Sequence, residues 1–147
     1  MKLIIALIVA SLCVGCSPKP HVDISNESKY QSVVGQKYET LADLKIHGIS
    51  LGINGDWRVN YVYITHPLGI GGNHVKFYDD LASNQKFEVV GVAKSAYSSI
   101  FGLYYKVKFL NYSKYNQYQI LVDVENDVST PNKGLDKNVF KLLPNNA

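Results

Sequence analysis

Ile100-Phe101-Gly102-Leu103-Tyr104-Tyr105-Lys106-Val107-Lys108-Phe109-Leu110 is the stretch whose reading decides the fold. Leu103, Tyr105, Val107 and Phe109 alternate with Tyr104, Lys106 and Lys108. A period of two is what a strand shows when one face is buried and the other is wet. The residues are also of the β-branched and aromatic types that pack well on a pleated surface.

Working outward, the same pattern recurs on both sides. Lys86 to Ala93 reads as a strand, with Phe87, Val89 and Gly91 on one face and Val90 and Val92 near the other. Tyr118 to Val124 places Tyr118, Ile120, Val122 and Val124 on one face. Further upstream, Trp57 to Ile64 alternates, and Ile53-Asn54-Gly55-Asp56 before it is a turn of the Asn-Gly kind. Lys37 to Leu51 has mixed spacing, which predicts two short extended pieces broken near Asp43 or His47-Gly48. Pro67 to Asn73 is a glycine-rich loop, and Val75, Tyr78 and Leu81, three apart, suggest one helical turn after it. A second helical turn is suggested at Lys137 to Leu142. Five to six antiparallel strands without a long helix predict an all-β domain. Its form would be either a small, partly open barrel with SH3-like strand order or a compact sandwich.

At 147 residues the chain has room for one domain plus an export segment. Apolar content of 46% and charged content of 18% describe a globular chain. A net charge of +3 lacks the dense Lys/Arg stripes of nucleic-acid binders, so no nucleic-acid partner is expected.

Residues 1 to 16 carry a targeting pattern. Lys2 precedes an uncharged run from Leu3 to Gly15, about as long as a signal-peptide core and short of the roughly 20 apolar residues of a membrane span. The run ends in Leu12-Cys13-Val14-Gly15-Cys16. This resembles the lipobox of bacterial prolipoproteins, in which a small residue precedes an invariant cysteine; Gly15 and Cys16 match, and Cys13 departs from the usual leucine. The resemblance implies cleavage before Cys16 and diacylglycerol on its sulfur, with acylation of the new amino group. Two or three acyl chains make a stable anchor. Ser17 follows the cysteine where an aspartate would signal inner-membrane retention, so the resemblance points to the outer membrane in a host that has one. Cys13 and Cys16 are the only cysteines, and processing would leave the mature chain without a free thiol or disulfide. The expected organisation is a signal peptide at 1–15, a lipidated cysteine and flexible tether at 16–32, a β domain at 33–125 and a loosely packed tail at 126–147.

Candidate chemistry is sparse. The glycine loop is not G-x-G-x-x-G and leads into no Lys-Ser or Lys-Thr, so it reads as a strand connection. His66, His74, Asp79 and Asp80 are the types that bind zinc or iron, but their spacing matches no ligand motif. No G-x-S-x-G elbow is present, and no catalytic residue or cofactor is expected. Tyrosine stands out, with 11 in the chain. Tyr97, Tyr104, Tyr105, Tyr112, Tyr115 and Tyr118 cluster in two neighbouring strands and their connection. Their β propensity accounts for this, and they are also the recognition surface to test.

The expectation is a non-enzymatic envelope lipoprotein, held by lipid on Cys16, whose β domain binds an envelope protein or glycan. An exclusion or immunity lipoprotein acting against a toxin or phage is the alternative, and a cell-wall or lipid-acting enzyme the third. Cells fed an alkyne analogue of palmitate should label the wild-type chain, and Cys16→Ser should abolish the label. Labelling that survives the substitution would refute the lipobox reading.

Overall fold

The structure, a computed structural model, describes residues 19–66, 69–97, 102–125 and 134–144. The export segment, Cys16, and Pro67 and Leu68 of the glycine loop lie outside the described residues.

The chain is all-β. Among the described residues nine strands run in order: β1 (His21–Asp23), β2 (Lys37–Thr40), β3 (Leu44–Ile49), β4 (Tyr61–Thr65), β5 (Val75–Leu81), β6 (Lys86–Ser95), β7 (Leu103–Phe109), β8 (Gln119–Asp123) and β9 (Phe140–Leu142). They form one sheet in the order β5-β3-β4-β8-β7-β6-β2-β9, with β1 beside the second half of β6. The sheet does not close into a barrel. Every pairing is antiparallel except β4 with β8, where Tyr61 to Ile64 lie beside Gln119 to Val122 in parallel. This parallel ladder is the seam between the two antiparallel halves.

Three strands exceed the five or six expected, and each has a local cause. β5 replaces the helical turn expected after the glycine loop. Its burial alternates with period two, but Asp79 takes one of the less exposed positions. The carboxylate is held there by the Tyr115 hydroxyl at 2.6 Å and by Lys114, so a charged residue disguised the strand. β9 replaces the second helical turn by pairing with β2. β1 arises within the segment expected to be a tether.

The core draws on residues outside 33–125 as well. Ile24, Tyr30 and Val33 are buried in the core, as are Leu135, Val139 and Phe140 from the presumed loose tail. These residues are too irregularly spaced to show a period, which is why the sequence concealed them. They cover the apolar face made by Ile46, Val62, Ile64, Phe87, Val89, Tyr105, Val107, Ile120 and Val122. Phe87 sits at the centre, 5.8 Å from the Tyr38 ring, 6.3 Å from Phe109 and 5.7 Å from Phe140.

Within β6 the register shifts between Val89 and Gly91. This bulge puts Val92, not Gly91, on the core face with Phe87 and Val89, and it corrects the simple alternation expected there.

Truncating Phe140 to alanine should cost about 3–5 kcal/mol, the range for a buried phenylalanine. Urea unfolding would measure it. A midpoint unchanged by Phe140→Ala would show that the C-terminal segment is dispensable.

Candidate binding groove across the seam

The sheet face opposite the core carries Tyr61 and Tyr63 of β4, Gln119, Leu121 and Asp123 of β8, Tyr104 and Lys106 of β7, Ala93 of β6, and His21 and Asp23 of β1. β1 and β4 are four places apart in the sheet. At about 4.8 Å per strand, a flat sheet would hold them some 19 Å apart. Yet the rings of His21 and Tyr61 meet edge to face at 4.8 Å. The sheet therefore curls strongly toward this face. Ala93 lies between Asp23 and Tyr104 in the pairing, and two residues along β1 the His21 ring meets that of Tyr104 edge to face at 5.1 Å.

A groove of about 700 Å³ runs along this curl. Pro20, Leu51 and Ile53 supply apolar wall, while His21, Asp23, Lys106, Asn60, Tyr61 and Gln119 supply polar groups. Its size is that of a small-molecule or oligosaccharide site.

One clasp fixes the β1 wall. At the bulge, the Val92 N–H donates to Ser25 Oγ at 2.8 Å, and the Ile24 N–H donates to the Val92 carbonyl at 2.9 Å. Ser25 Oγ in turn donates to Asp23 Oδ1 at 2.6 Å, and the Lys106 ammonium pairs with Asp23 Oδ2. Lys106 reaches Asp23 by crossing Gly91, where any Cβ would overlap the lysine stem and Ser25. A side chain at 91 would push the end of Lys106 off this path.

Beside the groove, Tyr63 is hydrogen bonded to Asp123 and to Tyr104, whose ring lies 5.8 Å away. Burial raises the pKa values of Tyr61, Tyr63 and Tyr104 above the usual phenol value. Burial lowers His21 and raises Asp123, the latter against the pull of the Tyr63 hydrogen bond. Asp23 goes the other way, down to about 2, through its hydrogen bonds to Lys106 and Ser25. Near neutral pH the groove thus presents uncharged aromatic rings, amides and one fixed ion pair, with the Lys19 side chain at one end. Such a surface suits a polar, hydrogen-bonding ligand. The Ser25 hydroxyl is committed to Asp23, and His21 packs between two tyrosine rings, so neither forms a nucleophile–base pair.

The six tyrosines singled out in the sequence do not share one surface. Tyr105 and Tyr115 are buried in the core, and Tyr112 and Tyr118 pack partly buried against it. Tyr115 stacks on Phe77 at 5.6 Å. Tyr97 is 75% exposed beyond the end of β6. Tyr104 alone of the six borders the groove. Alternation within Leu103 to Phe109 already put Tyr104 and Tyr105 on opposite faces, a signal that could have separated them. Tyr61, His21, Lys106 and Gln119 were missed as a group because only the curl of the sheet brings them together.

The metal candidates are dispersed in other roles. Asp80 pairs with Lys45, Asp79 with Lys114, and His74 Nδ1 lies 2.8 Å from the Ser50 carbonyl oxygen. Among the described residues no group of three His, Cys, Asp or Glu side chains could hold a metal ion. The glycine loop is a β4–β5 connection: Gly69, at φ 64°, packs on His47, where a Cβ would come within 2.7 Å of Nε2. His47 Nε2 accepts from the Ile70 N–H at 3.4 Å. A second cavity of about 290 Å³ lies over Ile64, Val122 and Phe140. Its rim at Glu125 adjoins residues 126–133, which are outside those described.

Because the folded pKa of Asp23 lies below its unfolded value, the clasp contributes stability above about pH 4 and loses it as pH falls toward 2. In Lys106→Met, the Asp23 carboxyl followed by carbon-detected NMR should titrate closer to the ordinary value of 3.8. A midpoint still near 2 would show that Lys106 does not hold it. Comparison of the chain with protein families, with characterised proteins and with solved structures gave no match.

Proposed function

We propose that this chain is an envelope lipoprotein, anchored through Cys16, whose β domain binds another envelope component through the groove and catalyses no reaction. The observation that carries this reading is the composition and placement of the groove. Its first wall, Lys19 to Asp23, follows Cys16 almost directly in the chain, so anchor and groove are joined by covalent structure. Its polar groups are of the recognition kind: an amide at Gln119, tyrosine and histidine edges, and an ion pair already satisfied by its own partners. Aromatic rings with nearby amides favour a glycan or a polar protein segment of the envelope. No helix among the described residues is long and apolar enough to cross a membrane.

In-cell cross-linking followed by affinity capture and mass spectrometry tests this. One envelope component should be recovered with the wild-type chain. Recovery should drop about tenfold or more with Cys16→Ser and with Gln119→Lys, which places a charge on an exposed groove residue. A lipidated, folded chain that captures nothing, or captures the same component despite Gln119→Lys, would refute the groove as the contact site.

A further inference from the structure

We infer that the β1 edge of the domain lies directly against the bilayer, with Lys19, Val22, Lys94 and Tyr97 forming the contact face. This rests on Cys16 being the lipid anchor, as proposed above. It adds an orientation and a second binding surface, which shares Lys19 and Val22 with the rim of the groove and extends from there to Lys94 and Tyr97.

Chain length makes the first argument. Pro20 is already fixed to the sheet, because its carbonyl accepts the Ala96 N–H at 2.8 Å. Only four residue steps separate Cys16 from Pro20, and fully extended they reach about 14 Å. The polar layer on each side of the hydrocarbon is about 5–8 Å deep, so crossing it uses roughly half of that reach. What remains is too short to lift a folded domain clear of the headgroups. The end of the sheet that holds Pro20 must rest on them.

Side-chain chemistry at that end makes the second argument. Val22 pairs in register with Lys94, and His21 pairs with Ser95. Around them Lys19 and Lys94 are exposed, Val22 is 44% exposed and Tyr97 is 75% exposed. Lysine and tyrosine are the residues that favour the headgroup zone, lysine by attraction to anionic lipid and tyrosine by its apolar ring with a polar tip. The one carboxylate of β1, Asp23, is turned to Lys106, and the one carboxylate of β6, Glu88, lies toward the opposite end of that strand. No negative charge on these two strands therefore opposes the approach. The groove, walled by Lys19 to Asp23, has one side at headgroup level, so a ligand at the membrane surface is within its reach.

Tryptophan quenching in the full-length lipidated protein tests the orientation. The single native tryptophan is first removed as Trp57→Phe. A reporter is then placed as Tyr97→Trp at the contact face, or as Leu110→Trp at the far end of the sheet. Leu110 is 47% exposed and bonds to Lys86, nine residues from Ser95 along β6, or about 30 Å. Both proteins are reconstituted into vesicles of phosphatidylethanolamine and phosphatidylglycerol brominated high on the acyl chains. The Tyr97→Trp reporter should be quenched and the Leu110→Trp reporter should not. Adding Lys19→Glu and Lys94→Glu should reduce quenching at position 97 severalfold while the protein still floats with the vesicles. Equal quenching at both positions, or none at position 97 in a chain whose mass shows the acyl groups, overturns the orientation and leaves the anchor intact. A chain whose mass shows no acyl groups overturns both.

Discussion

A parallel ladder only four residues long, Tyr61 to Ile64 against Gln119 to Val122, holds this protein together. On one side of it β5, β3 and β4 form an antiparallel unit, and on the other β8, β7, β6, β2 and β9 form another. Parallel pairs are slightly weaker per residue than antiparallel ones, so the seam needs support from its side chains. On the core face Val62 and Ile64 meet Ile120 and Val122, all of them almost fully buried. On the opposite face Leu121 is completely buried beneath the tyrosines, and the Tyr63 hydroxyl reaches across to Asp123. The curl that draws β1 toward β4 starts from this support, and the groove is the space that the curl encloses.

The groove is rigid where it is polar. Asp23, Ser25, Lys106 and the Val92 N–H satisfy one another around the β6 bulge, leaving no buried polar group of the clasp without a partner. Preorganised polar walls spare a ligand the entropy of ordering them. Because Lys106 and Asp23 neutralise each other, the wall offers directed hydrogen bonds, with Lys19 as the remaining charge of its lining. Elsewhere apolar packing dominates, with aromatic contacts around Phe87 and Phe77.

The all-β class and six of the strands were legible: Leu103 to Phe109, Lys86 to Ser95, Gln119 to Asp123 and Tyr61 to Thr65 alternate visibly, and the mixed spacing of the Lys37 to Ile49 region still marked two short extended pieces. Where legibility failed, a single residue usually broke the period. Asp79 is charged at a less exposed position of β5, and the extra residue in β6 inverts the faces after Val89. β1 and β9 are three residues each, too short for any period to appear. The groove was hidden for a different reason. Its residues come from five strands, the segment before β1 and the β3–β4 connection, spread between positions 19 and 119, and tertiary curvature, which leaves no local trace, joins them. Tyrosine content drew attention to the correct strand, β7, but to residues that mostly serve the core.

β5 ends the sheet with one edge unpaired. Exposed along it are Lys76, Tyr78 and Asp80, with Asp80 tied back to Lys45 on the neighbouring strand. The opposite edge is the three-residue β9. A protein tethered in a plane meets its neighbours at a far higher local concentration than one free in solution, and always the same way up. Under those conditions a long, plain edge would recruit the next copy into a continuous ribbon. On the proposed anchoring, charges on one border and brevity on the other would keep crowded copies as separate molecules.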